Sequence, residues 1–275
     1  MRAHSLTQGM YDHVPSEDVA GYVDLGGSLV AWVVDGASTI GDEPFTTFGE
    51  LSDAGWFARR IGVELAVCAG GGDFGMPVLQ DILERVRDDY RQQAGDLRQP
   101  AWAWPLVAAT AMRIFPRREG SHIETITYAG CFLRFNCSGM PAITPTEVLA
   151  PSPGRPWKPC SGLKGAALRD MRDRRVLRQT VDARGTLTMD PRSALGGARC
   201  NHALPPGSDV LIGSDGLARL WCSYRLLSAR EALALVARAG LPALFKRLRT
   251  HEASQTAVGE EVKVNDDASG IHIRI

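Results

Sequence analysis

Four acidic sites in this sequence stand where runs of apolar residues begin or stop. Asp35 closes LVAWVVDG, in which six apolar residues lead into the aspartate and Gly36. Asp215-Gly216 follows DVLIGS, Asp266-Asp267 precedes the closing ASGIHIRI, and Glu17-Asp18 precedes the first apolar run. Carrying a buried strand up to a carboxylate is costly unless the charge is solvated or paired. A glycine directly after it lets the backbone turn sharply and present a carbonyl beside the side chain. Taken singly, each site reads as an ordinary Asp-Gly or acidic turn. If the strands lie side by side, the carboxylates converge. Converging carboxylates repel until they protonate, or until a hard divalent cation with a preference for oxygen sits among them.

The elements around these sites are legible from periodicity. Residues 18–24 and 28–35, joined through Leu25-Gly26-Gly27, predict an antiparallel hairpin. Helices are expected over 51–68 and 77–93, the second carrying Val78, Leu79, Ile82, Leu83, Val86 and Tyr90 at helical spacing behind Pro77. From Pro105 to Phe135 the pattern predicts a three-stranded meander with an Arg-Arg-Glu-Gly turn at 117–120. The proline-rich stretch 150–160 predicts an irregular surface connection, and an arginine-laden helix is expected over 161–180. Further on come a buried strand at 208–214, a helix from Ser228 with Glu231 completing a capping box and Gly240 at its end, and a helix opened by Pro242 and running to about His251. A half-buried strand ends the chain. No repeat or long polar linker divides it, so a single domain over residues 1–275 is expected.

Bulk properties exclude several classes of function. Lys plus Arg and Asp plus Glu each total 31, so no net field favours nucleic acid or an anionic membrane. No signal-like or membrane-spanning apolar run is present, and a cytoplasmic, soluble protein is expected. The 6 cysteines lack a C-x-x-C pair and are expected to be reduced; the 6 histidines show no zinc-binding spacing.

The order SED, VVDGAS, IGSDGLARLW and NDDAS, with PRSALGG at 191–197, resembles the metal-dependent type 2C protein phosphatases over nearly the whole chain. The resemblance implies an α+β fold, two antiparallel sheets packed as a sandwich with helices on both outer sides. It also implies a two-metal site, filled by Mn²⁺ or Mg²⁺, at one edge. Carried onto this sequence, Asp35 would bridge two ions, the Gly36 carbonyl would bind one, Asp215 and Asp266 would bind the other, and Glu17 and Asp18 would hold metal-bound waters. The implied reaction is hydrolysis of a phosphomonoester, foremost phosphoserine or phosphothreonine in proteins, by a water activated between two metals. Two alternatives stand beside it: a phosphatase for a small molecule such as a sugar phosphate or nucleotide, and a pseudophosphatase that binds a phosphoprotein without hydrolysis.

The sequence also departs from the family pattern. His13 occupies the position of a phosphate-binding arginine; as a candidate phosphate contact a histidine can still donate, but it lacks the forked, permanent charge of a guanidinium. The histidine of D-G-H-G-G is absent from Asp35-Gly36-Ala37-Ser38, and Gly130 stands where some members carry an aspartate that helps to hold a third metal. Cys131 reads as a buried strand residue. Asp73-Phe74-Gly75 and Ser161–Lys164 match kinase and β-lactamase motifs without their companions and are coincidental. Arg169, Arg172, Arg174, Arg175 and Arg178 read as a solvated helix face or a docking surface for an acidic partner.

Overall fold

The hydrophobic pattern of residues 29–36 requires a strand covered on both faces, and the fold meets that requirement with four layers. The structure, a computed structural model, describes residues 1–11, 14–38, 40, 51–94, 99–136, 165–181, 185–255 and 265–275. Strands β2 (Val19–Asp24) and β3 (Leu29–Gly36) form the expected hairpin, with β3 pairing antiparallel to β4 (Val107–Arg117) on its other side. β5 (Gly120–Tyr128) and β7 (Ala198–Leu204) complete a five-stranded sheet in the order β2-β3-β4-β5-β7. The second sheet joins β1 (Arg2–Gln8), β9 (Ala268–Arg274), β8 (Asp209–Gly213) and β6 (Phe132–Asn136) in that order. All pairings are antiparallel.

Period-two alternation sorts the side chains into layers. Leu29, Ala31 and Val33 of β3 meet Val210, Ile212, Ile271 and Ile273 of the opposite sheet, forming the core between the sheets. Val30, Trp32 and Val34 face the other way, toward α1 (Asp53–Gly70) and α2 (Met76–Ala94). The four-stranded sheet is covered outside by α4 (Asp215–Cys222), α5 (Ala229–Ala239) and α6 (Leu241–Ser254), through Leu211, Leu217, Leu233, Leu244 and Phe245. The predicted sandwich with helices on both sides is therefore what the chain forms. Ser228 and Glu231 make the expected reciprocal capping box, and Gly240 ends that helix at φ 79°.

Three expectations are corrected. The meander from 105 to 135 stops after two strands: β6 leaves the sheet of β5 and pairs with β8 across the sandwich. Ala129, at φ 51°, and Gly130 make the turn that redirects the chain, and Phe132 and Leu133 then enter different cores. Gly36 is not a sharp turn but the last residue of β3; it is glycine because a Cβ there would stand 2.8 Å from the Glu17 carbonyl oxygen and 3.1 Å from that of Ala54. The arginine-rich helix α3 (Gly165–Thr180) is not uniformly solvated. Arg175 is buried and donates to the carbonyls of Ala37 and Ser38. β1 and β7 are additional strands with no counterpart in the sequence reading. His13, the connection 150–160 and residues 161–164 of the expected helix lie outside the described residues.

Candidate functional site

Register brings the first two carboxylates together. Val19 pairs with Val34, so the next rung places Asp18 opposite Asp35 at the end of the β2–β3 ladder. Asp35 continues the odd-numbered face of β3, whose Leu29, Ala31 and Val33 point between the sheets, and it therefore opens into the rim of the inter-sheet space. The second sheet delivers the others. β8 ends at Gly213, Ser214 caps α4, and Asp215 is the first helical residue. Asp266 and Asp267 stand directly before β9, which pairs with β8.

The two loops are locked against each other. Ser214 N–H donates to the Ser269 carbonyl at 3.0 Å, and Ser269 N–H donates to Ser214 Oγ at 3.0 Å. A Cβ on Gly216 would lie 1.8 Å from the Asp267 carbonyl oxygen, so the Asp-Gly at 215–216 is fixed by backbone approach. Asp267 accepts from the N–H groups of Met10 at 2.6 Å and Glu17 at 2.8 Å, tying the segment before β2 to the segment before β9. Glu17 accepts from the hydroxyls of Ser38 and Ser52; Ser52 also caps α1 by accepting from Gly55 N–H.

The result is an acidic cluster whose members differ in burial. Asp18 and Asp266 are buried, Asp35 is half-buried, and Asp215 is exposed. Burial, followed by the negative charges of Asp18, Asp215 and Asp266, holds the Asp35 carboxyl well above the usual carboxylate range, and a hydrogen bond with Asp215 adds to the rise. Part of Asp35 reaches solvent, yet protein crowds it densely enough for desolvation to lead. Asp18 is raised in the same way by burial, against the opposing hydrogen bond of Ser214 and with Asp267, Asp215 and Asp266 as further anionic neighbours. Asp18 Oδ2 is buried without a hydrogen-bond partner. Cys131 is buried beneath this cluster, and burial together with Asp35, Asp18 and Asp215 pushes its thiol upward, the opposite of what a nucleophile needs.

The structure thus brings together Asp18, Asp35, Gly36, Asp215 and Asp266, with Glu17 at their edge. Among the described residues, no three His, Cys, Asp or Glu side chains form a preformed metal cage. The carboxylates nevertheless suit a cation: they are all-oxygen donors, mutually repelling, and include an orphaned buried oxygen. Sequence reasoning passed over Ser214 and named Asp267 only as half of an acidic pair, without a role, although both lie in the quoted IGSDG and NDDAS segments. Their roles, a hydroxyl joining the sheets and a carboxylate gathering backbone N–H groups, leave no mark in spacing.

No protein-family model matches the sequence, and no curated protein matches it. Solved structures do match along nearly the whole chain. The SiaA-PP2C domain of Pseudomonas aeruginosa matches with 14% identity and a TM-score of 0.51, over 99% of this chain and 85% of that one. The catalytic domain of the serine/threonine protein phosphatase PstP, in complex with 2 manganese ions, matches with 10% identity and a TM-score of 0.50, over 98% and 96%. RsbX in complex with magnesium matches with 11% identity and a TM-score of 0.51, over 98% and 92%. The chain has the type 2C phosphatase fold of bacterial phosphatases. Among the described residues, no helix is long and apolar enough to cross a membrane.

Proposed function

We propose that this chain is a metal-dependent phosphomonoester hydrolase acting on phosphoserine or phosphothreonine in proteins. The observation that carries the reading is the meeting of Asp18, Asp35, Asp215 and Asp266 at one edge of the sandwich, with Asp18 Oδ2 buried and unpartnered. Asp35, the Gly36 carbonyl, Asp215 and Asp266 would hold two Mn²⁺ or Mg²⁺ ions, with Glu17 and Asp18 behind them. Bound there, such a pair supplies Lewis-acid stabilisation of phosphoryl oxygens and a water made acidic enough to ionise near neutral pH.

The rest of the work belongs to the protein. Asp35 and Asp215 face each other from different sheets and set the width of the centre. The Ser214 hydroxyl at the α4 N-terminus offsets part of the cost of burying Asp18. Glu17 holds the Ser38 and Ser52 hydroxyls, so the chain on either side of the mouth is anchored to the same acid. Beside Asp266 a cavity of about 530 Å³ opens between α6 and the segment after β1, walled by Gly9, Met10, Tyr11, Arg249 and Asn265. It offers room for the body of a substrate next to the acidic pocket.

The test is hydrolysis of p-nitrophenyl phosphate with EDTA, Mg²⁺ or Mn²⁺, comparing wild type with Asp35→Asn and Asp215→Asn. Activity should need the added metal and fall by at least about a hundredfold in each variant. Metal-independent turnover, or full activity in Asp35→Asn, would refute the assignment. Phosphopeptides set against a panel of sugar phosphates and nucleotides then decide the substrate class by kcat/KM.

A further inference from the structure

Behind Asp266 lies a charged cluster that the reaction as proposed does not use. Arg219 follows Asp215 by one helical turn on α4, so it lies on the same side of the helix, facing the loop before β9. Its Nη1 stands 3.9 Å from Asp266 Oδ2 and 3.7 Å from Glu252 Oε1. Side-chain exposure is 12% for Arg219, 11% for Asp266 and 1% for Glu252, so solvent screens these charges little. Glu252, on α6, is already engaged: Arg249 Nη1 donates to its Oε2 at 2.6 Å, and the Tyr224 hydroxyl donates to its Oε1 at 3.2 Å. Arg249 Nη1 also donates to the Asp266 carbonyl at 2.8 Å, which holds the backbone of that residue in place. The Arg219 guanidinium rests over the Tyr224 ring, 4.9 Å from its centroid.

Two guanidinium groups therefore share one deeply buried glutamate, and Arg219 stands between that glutamate and Asp266. We propose that Arg219 is a built-in cation that competes with a metal ion for Asp266, so that the Arg219–Glu252 balance sets the metal concentration at which the centre fills. This inference rests on the metal-dependent reading above and adds regulation of that same site. In the metal-free chain, Arg219 offsets part of the repulsion among the carboxylates. When a divalent ion enters, the same positive charge opposes it. Glu252 tempers that opposition by drawing the guanidinium toward α6. Arg219 is thus a positioning residue: it acts on metal through Asp266 and touches no substrate.

Two substitutions should shift Mn²⁺ affinity in opposite directions, which an architectural role would not produce. Titration of the full chain with Mn²⁺ by calorimetry, in the absence of any substrate, reads the binding steps directly. Arg219→Gln should tighten one of two steps by about tenfold, the order expected when a unit charge near a divalent ion is removed, while Arg219→Lys keeps the charge and stays close to wild type. Glu252→Gln should weaken the same step, since Arg219 is then left to Asp266. Unchanged affinities, or both variants shifting in one direction, would overturn the inference. If Arg219→Gln does not fold, Glu252→Gln decides alone: weaker Mn²⁺ binding supports the proposal, and equal or tighter binding refutes it. Wild type that takes up no Mn²⁺ strikes down the metal-dependent reading together with this one, whereas two-step wild-type binding unaltered by the variants removes only the role of Arg219.

Discussion

Asp215, the first residue of α4, faces Asp35 near the end of β3, and its carboxyl helps to raise that of Asp35. Two carboxyl groups held this close, with no cation between them, favour the protonated form of one. Because the folded-state pKa of Asp35 is raised, the folded chain holds a proton that the unfolded chain gives up at ordinary carboxylate pH. Stability then falls as pH rises above about 4, toward the raised value. Asp35→Asn keeps a donor and removes the charge, so in EDTA it should melt a few degrees above wild type at pH 7, with a smaller gain at pH 5. Added Mn²⁺ should reverse the order, because only wild type gains binding free energy. Thermal unfolding at the two pH values, with and without Mn²⁺, checks both signs. A variant less stable than wild type in EDTA would contradict the repulsion argument.

Gly130 presses on Asp215: a Cβ there would stand 3.3 Å from the Asp215 Cβ and 3.4 Å from its Oδ2. Relieving that contact requires Asp215 to shift by a few tenths of an ångström, and its carboxylate moves with it. Gly130→Ala should therefore lower kcat/KM for p-nitrophenyl phosphate by about tenfold, as small misplacements of reacting groups do. Its circular dichroism and Tm should stay near wild type. Undiminished activity would show that Asp215 tolerates the displacement.

What the sequence disclosed followed from local rules. The β2–β3 hairpin, α2 with its apolar stripe and the Ser228–Glu231 cap are each encoded within a few residues, and each formed as expected. The acidic residues were visible because a carboxylate at the end of a buried strand is conspicuous. Sheet membership was not legible, since β6 reads as well beside β5 as beside β8; only the Ala129-Gly130 turn and the two-sided burial of Phe132 and Leu133 decide it. β1 and β7 escaped because their polar faces weaken the alternation: most of their residues are exposed or half-buried. Arg219, Glu252 and Asp266 come from three separate elements, and no spacing rule joins them.

Arg175 illustrates the same limit on α3. In sequence it is one of five arginines on a polar helix; in the fold it is 7% exposed and donates to the carbonyls of Ala37 and Ser38, just beyond Asp35-Gly36. Gln179, one turn on, donates to the Trp104 and Pro105 carbonyls at 3.0 Å each, so the helix is stitched to the backbone flanking β3 and β4. Arg175→Met should cost about 2 kcal/mol, the range for hydrogen bonds from a charged donor. It should also depress phosphatase activity, because the segment after Gly36 loses its clamp. Arg175→Lys, with one compact ammonium in place of a fork, should fall between. Urea unfolding gives the first quantity and steady-state rates the second; a Met variant as stable as wild type would place Arg175 among the solvated arginines after all.

Gly197, in the PRSALGG segment, lies under an aromatic ring. A Cβ there would stand 2.6 Å from Tyr128 Cζ and 2.8 Å from Ile126 Cγ2. Tyr128 cannot retreat, because it is fully buried and its hydroxyl donates to the Ala194 carbonyl in the same segment. Burial also pushes its phenol upward, so the hydroxyl remains a donor at any physiological pH. Gly197→Ala should therefore cost about 1–3 kcal/mol through overpacking, and Tyr128→Phe about 1 kcal/mol through the lost hydrogen bond. The ring is the obstacle, so Tyr128→Phe should not relieve Gly197→Ala and the two costs should add. Tyr128→Val removes the ring and opens space, so its combination with Gly197→Ala should cost less than the sum of the single changes. Urea denaturation of the five proteins and wild type tests this pattern. Strict additivity in the Val pair would mean that residues 191–197 shift away from β5 when Gly197 changes, and that ring contact does not fix the segment.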